Sequence, residues 1–139
     1  MQSKYTSLAQ LIAQVESSND QFAYRFEPAY TPRNETVDKM QHICNCSVTS
    51  AKILSASSFG LYQIMGFNLI DLGLELSPLK FCMLPELQTQ FFNEFLAKNG
   101  IMYTLDEVVN DVQARLHFAK VYNGDEIAYA SDMMRVYSS

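Results

Sequence analysis

The chain has 139 residues, 48% of them hydrophobic, with 5 glycines and 4 prolines; this suits one domain over residues 1–139 with a real core and excludes a disordered or collagen-like chain. A net charge of −5, from 10 basic and 15 acidic residues, argues against nucleic-acid binding, which needs a basic footprint. The surplus acid lies in residues 71–139, with ten acids against five bases, whereas residues 1–70 are balanced.

The N-terminus, Met1 to Ser7, carries one lysine and no uninterrupted apolar run, so it does not read as a signal peptide. No apolar stretch approaches the roughly 18 residues of a membrane span. Synthesis in the cytoplasm is expected, with delivery by other means if the substrate lies outside the membrane. A first helix is predicted over about 8–16, where Leu8, Leu11, Ile12 and Val15 recur at helical spacing and Ser7 with Gln10 forms a capping box. At about 100° per residue, Glu16 falls roughly 80° from Leu8 and 40° from Ile12. That places it on the rim of the buried face, before Ser17-Ser18-Asn19-Asp20 ends the helix.

Residues 21–58 are the least regular. Phe22, Tyr24, Phe26 and Tyr30 alternate with polar or small residues, which suggests an extended segment and at most a small hairpin in 21–34. Short helices are expected near 35–42 and 48–56. Beyond Gly60 a helix over about 67–72 stops at Gly73, and Ser77-Pro78 resets the chain. A helix over about 85–98 places Leu87, Phe91 and Phe95 on one face, with Phe91, Phe92 and Phe95 expected in the core. Thr104 and Glu107 cap a long helix predicted over 105–121, with Leu105, Val108, Val109, Val112, Leu116 and Ala119 as its apolar stripe. A last helix over about 126–137 carries Ile127, Ala130, Met134 and Tyr137. The fold class is all-α, mainly helical.

Cys44, Cys46 and Cys82 are odd in number and do not form a secreted disulfide framework. With His42 they supply four zinc-ligating side chains, but H-x-C-x-C with a remote fourth ligand is not a zinc spacing. Free thiols packed as small apolar groups are the expectation. His42 and His117 have no Ser or Cys partner at a protease spacing, and no glycine-rich phosphate loop follows a strand.

Two segments carry candidate chemistry. Glycoside cleavage needs a carboxylic acid that stays protonated near neutrality, and partial burial produces one. Glu16 is placed for this, although a solvated glutamate at a helix end fits its position as well. In Ser58-Phe59-Gly60-Leu61-Tyr62-Gln63-Ile64-Met65-Gly66, the glycines permit sharp turns and close approach. Gln63 offers an amide to sugar hydroxyls, and Tyr62 and Met65 offer flat or soft apolar surface. The same run also fits a turn into a core helix.

Together, Glu16-Ser17, Ser58 to Met65 and Tyr122-Asn123-Gly124 resemble the motifs of the soluble-lysozyme-like, goose-lysozyme-like lytic transglycosylases, especially their bacteriophage forms. Arg25-Phe26-Glu27-Pro28 is similar to an element of the phage forms, and Leu84-Pro85-Glu86 to their middle region. The resemblance covers nearly the whole chain; phage N-acetylmuramidases share part of it. It implies a lysozyme-like fold and the following roles. Glu16 is the acid, and Tyr122 hydrogen-bonds near it and orients it. Ser58, Gln63 and Met65, with Tyr62, line the muramic acid subsites, and Asn123 supports the cleft wall. Glu27 is a substrate contact, a structural partner of Arg25 or Arg33, or a second carboxylate. Three departures stand out: Tyr62 replaces a frequent methionine, the segment between Glu27 and Ser58 bears Cys and Ser, and Gly124 is followed by Asp125-Glu126.

The resulting expectation is a peptidoglycan lytic transglycosylase. It would cleave the β-1,4 bond from N-acetylmuramic acid to N-acetylglucosamine through Glu16 as acid and then base, giving 1,6-anhydro ends. No metal or cofactor is needed. The partner is the peptidoglycan glycan strand in the cell wall or periplasm, reached as a free enzyme or as a component of a phage virion or secretion machine. The alternatives are a hydrolytic muramidase using a second acid such as Glu27, and an inactive glycan-binding or virion structural module.

Overall fold

The computed structural model describes residues 3–139; Met1 and Gln2, part of the stretch read for a signal peptide, lie outside the described residues. Helix α1 (Leu8–Ser17) begins where Ser7, in extended conformation, accepts the Gln10 N–H at 3.2 Å. The Gln10 side chain does not complete the expected box. It reaches back to Thr6, accepting the backbone N–H at 2.7 Å and the hydroxyl at 3.0 Å. The helix stops because Ser18 and Asn19 both take positive φ, 55° and 63°, which aims their N–H groups back at the Gln14 and Ala13 carbonyls.

The extended reading of 21–34 holds for strand β1 (Tyr24–Phe26), but there is no local hairpin. The partner of β1 is β2 (Ser57–Phe59), antiparallel, with Arg25 opposite Ser58. Strand β2 then turns through Gly60–Gln63 into β3 (Ile64–Met65), which pairs Ser58 with Met65. The sheet order is β1-β2-β3, so β1 is an edge. Its partner lies about thirty residues downstream, and alternation in one segment cannot reveal a distant partner.

Between β1 and β2 the chain forms α2 (Asn34–Cys44) and α3 (Val48–Ser55). These pack on α4 (Gly66–Asp71) through a small second core of Val37, Met40, Ala51 and Ile70. Ser77-Pro78, read as a break, instead starts α5 (Pro78–Cys82): Ser77 caps the Lys80 N–H and Pro78 occupies the first turn. Helix α6 (Pro85–Lys98) follows as expected, and it buries Phe91 and Phe92 with Phe95 partly covered.

The single helix predicted over 105–121 is two. The Thr104–Glu107 capping box starts α7 (Leu105–Asn110), which ends at Asp111 in extended conformation. Asp111 then caps α8 (Val112–Tyr122) by accepting the Gln113 and Ala114 N–H groups. Arg115 donates to the Val108 and Val109 carbonyls left open at the end of α7, at 3.0 Å each. Val112 therefore leaves the apolar stripe and is exposed. Helix α9 (Glu126–Ser138) lies where predicted but is rotated from the expected phase. Ile127 is 74% exposed, and the buried face is Tyr129, Ala130 and Met133. The main core joins Leu11 and Ile12 of α1 to Phe92, Phe118 and Met133, all fully buried. The domain is mainly helical, as expected for a lysozyme-like fold, with one small sheet among the described residues.

Candidate active site

Glu16 occupies the last turn of α1, on the rim that helical geometry assigns it. Its carboxyl is pushed above the usual range because burial disfavours the charged form. Two groups oppose that push, the hydroxyl of Tyr129 and the positive charge of Arg25. Tyr129, from the buried face of α9, donates to Glu16 Oε2 at 2.5 Å. Its own hydroxyl is raised far above the usual tyrosine value by burial and by the Glu16 charge, so it stays protonated and acts only as a donor.

The next residue ties this carboxyl to the glycine turn. The Ser17 hydroxyl donates to the Leu61 carbonyl at 2.9 Å, sharing its proton with the Ala13 carbonyl. It also accepts the Asp20 N–H. The Glu-Ser pair thus divides its work: Glu16 meets the Tyr129 hydroxyl and Ser17 fixes the helix end to the turn.

Gly60 has φ +82°, and a Cβ there would lie 2.4 Å from Gln88 Oε1. That close approach is used. Gln88, buried on α6, accepts the Leu61 N–H at 2.8 Å, and its amide donates to the Phe81 and Cys82 carbonyls, both at 3.1 Å. A Cβ on Gly66 would lie 2.2 Å from the Leu54 carbonyl oxygen, so α3 and α4 touch backbone to backbone there.

Several expected substrate contacts have other roles. The Gln63 amide donates to the Ala23 and Gly60 carbonyls, at 3.1 and 2.9 Å, and its oxygen accepts the Ser58 hydroxyl at 2.8 Å. Gln63 itself has φ 52°, so its side chain holds a strained turn and its two donors are taken. Tyr62 is only 4% exposed, stacks on Phe92 at 4.3 Å and bonds Thr89 at 2.7 Å, which makes it a core residue and not a sugar platform. Tyr122 does not bond Glu16. Its hydroxyl donates to the Tyr62 carbonyl at 2.6 Å, within a cluster with Phe92, Phe95, Phe118 and Tyr129. It remains near enough to Glu16 for that charge, after burial, to help raise its hydroxyl well above the usual value. Asn123 ends α8 and accepts the Asp125 N–H, shaping the next turn.

Ser58 and Met65 are cross-strand neighbours on one sheet face, with Arg25 beyond Ser58 in the same row. Met65 is half-buried. Glu27, just past β1, pairs with Arg25 at 2.9 Å, the structural role weighed for it. Arg33 pairs with Asp71 instead, at 3.7 Å.

Cys82 sits in the main core, whereas Cys44 and Cys46 pack on the second one. Among the described residues no three His, Cys, Asp or Glu side chains converge as a metal site.

The sequence reading does not single out Tyr129 or Gln88, and it names Arg25 only within the Arg25-Phe26-Glu27-Pro28 element and as a partner of Glu27. Gln88 left a signal, a polar residue three and four positions before Phe91 and Phe92 on an apolar face.

No family model matches the chain. No solved structure matches it either. Among curated proteins it is similar to the endolysin of Enterobacteria phage PRD1, with 38% identity over 133 residues that cover 88% of this chain and 89% of that protein. At that identity and coverage the chain belongs to the family of the phage endolysin.

Proposed function

We propose that this protein degrades bacterial peptidoglycan as a lytic transglycosylase, with residues 1–139 acting as one catalytic domain. The observation that carries the reading is the contrast between its two candidate acids. Glu16 is half-buried, raised and backed by the Tyr129 hydroxyl. Glu27 is engaged in an exposed ion pair with Arg25. Likeness to a phage endolysin supports the cell wall as the place of action. Among the described residues no helix is long and apolar enough to cross a membrane.

In this mechanism Glu16 protonates the glycosidic oxygen as the C1–O bond breaks. The resulting carboxylate, stabilised by the Tyr129 O–H, then takes the proton from the C6 hydroxyl of the same sugar as that oxygen bonds to C1. The C6 hydroxyl is already held beside the reacting carbon and has a high effective concentration. Water would need a second carboxylate to position and activate it, and Glu27 is the acid that would have to serve.

Digestion in oxygen-18 water followed by mass spectrometry tests this. Anhydro ends without label are expected. Labelled reducing ends, with activity abolished by Glu27→Gln, would establish a hydrolytic muramidase. Tight glycan binding with no turnover would establish a binding or structural module.

A further inference from the structure

Arg25 is the cation of the sheet face that carries Ser58 and Met65. The β1–β2 register sets it directly opposite Ser58, on a strand with no further strand beyond it among the described residues. Its Nε is held by Glu27 Oε1 at 2.9 Å, while its side chain is 75% exposed. The ion pair engages Nε, and among the described residues no hydrogen bond or ion pair takes up the terminal amino groups of this exposed side chain. An exposed pair of this kind contributes little to stability. Its location gives it another use. Strand β1 is tied to the glycine turn, where the Ala23 carbonyl accepts the Gly60 N–H at 2.7 Å, and Ser17, next to Glu16, is tied to the same turn through the Leu61 carbonyl. Arg25 thus belongs to the substructure that holds the acid, whose pKa its positive charge helps to lower. Glu27, and Glu16 once it has given up its proton, would otherwise present only negative charge to an anionic substrate in a protein of net charge −5. A braced guanidinium with a free fork is suited to a carboxylate, which it can bind bidentately.

We infer that Arg25, braced by Glu27, is the substrate-recognition residue that takes a carboxylate carried on the 3-O-lactyl arm of the muramic acid. This rests on the glycan-cleaving reading above. The carboxylate is either the free lactyl acid of a peptide-free strand or an acid of the attached stem peptide; both present the same group to the guanidinium.

Binding to the full chain, measured by calorimetry in a Glu16→Gln background, tests the inference without turnover. The probes are a peptide-free tetrasaccharide of N-acetylglucosamine and N-acetylmuramic acid, its lactyl methyl ester, a peptide-bearing strand, that strand with its carboxylates amidated, and uncharged chitotetraose. Glu16→Gln should prefer one acid probe over its neutral counterpart by on the order of tenfold. The pair that shows the preference identifies the source of the carboxylate. Arg25→Met should abolish the preference while chitotetraose binding persists, and Arg25→Lys should retain part of it. Equal binding of acid and neutral probes, or loss of chitotetraose binding in Arg25→Met, would overturn the inference. Failure of Glu16→Gln to bind any glycan would instead remove the glycan-cleft reading, and this assignment with it.

Discussion

The hydroxyl of Tyr129 donates to the carboxylate of Glu16 at 2.5 Å, joining the last helix to the end of the first. This contact lowers the proton affinity of Glu16 against the larger push of burial. Tyr129→Phe removes the opposing effect, so the Glu16 pKa should rise further. A general acid works in its protonated form, so the alkaline limb of the pH–rate profile should move to higher pH. An unmoved limb in a folded variant would show that another group sets that limb.

Glu16→Gln keeps the shape of the side chain, including an oxygen that accepts from Tyr129, but removes the transferable proton. Lysis of cell-wall substrate should fall at least about a hundredfold. Stability should move the other way. Because burial holds the folded pKa above the ordinary carboxylate value, the stabilising contribution of Glu16 is complete below that ordinary value and is lost as pH rises through the folded pKa. Glutamine does not titrate and escapes that loss. Melting temperatures should therefore show the variant gaining on the wild type as pH rises from 4 to 8. A variant that loses ground to the wild type over that range would contradict a raised carboxyl.

Helix positions were legible because caps and apolar spacing are local: Ser7 and Thr104 both cap as read, and α6 falls on its predicted span. What was not legible depends on distant partners or on phase. The strand at Tyr24–Phe26 finds its mate beyond two intervening helices. Asp111 splits a helix whose apolar stripe reads as continuous, because an N-cap aspartate outweighs one more apolar position at Val112. At the site, the Glu16 rim position followed from helical geometry alone. Tyr129 was missed because the stripe of α9 was anchored on Ile127, which points to solvent. Gln63 and Tyr62 were read as substrate groups because their types suit sugars, but their partners are the Ala23 carbonyl and Phe92, far off in sequence.

The two glycines of the motif run should tolerate substitution worse than Gly73. A methyl at Gly66 meets the Leu54 carbonyl oxygen, backbone that cannot swing away. At Gly60 it meets Gln88 Oε1, and φ is +82°. Gly73 has φ +94° but nothing within 4 Å, so alanine there meets only the backbone cost of about 1–2 kcal/mol. Gly66→Ala should cost more, roughly 2 kcal/mol or above, with Gly60→Ala close to it. Chemical denaturation of the three variants checks the ranking. A Gly66→Ala protein as stable as Gly73→Ala would mean that α3 and α4 separate easily.

Tyr122→Phe completes the contrast with Tyr129→Phe. The Tyr122 hydroxyl donates to the Tyr62 carbonyl at 2.6 Å, so its loss leaves the carbonyl of a buried residue without that donor inside an aromatic cluster. The cost should be about 1–3 kcal/mol of stability. Because Tyr122 makes no hydrogen bond to Glu16, and its raised pKa keeps it neutral, removing its hydroxyl should leave the Glu16 titration in place. The alkaline limb of the rate profile should stay where it is, with any fall in rate uniform across pH. Tyr129→Phe should move that limb. Thermal melts and pH–rate profiles of the two variants separate the roles. A shifted limb in Tyr122→Phe and an unshifted one in Tyr129→Phe would reverse the assignment and return Tyr122 to the position of the orienting residue.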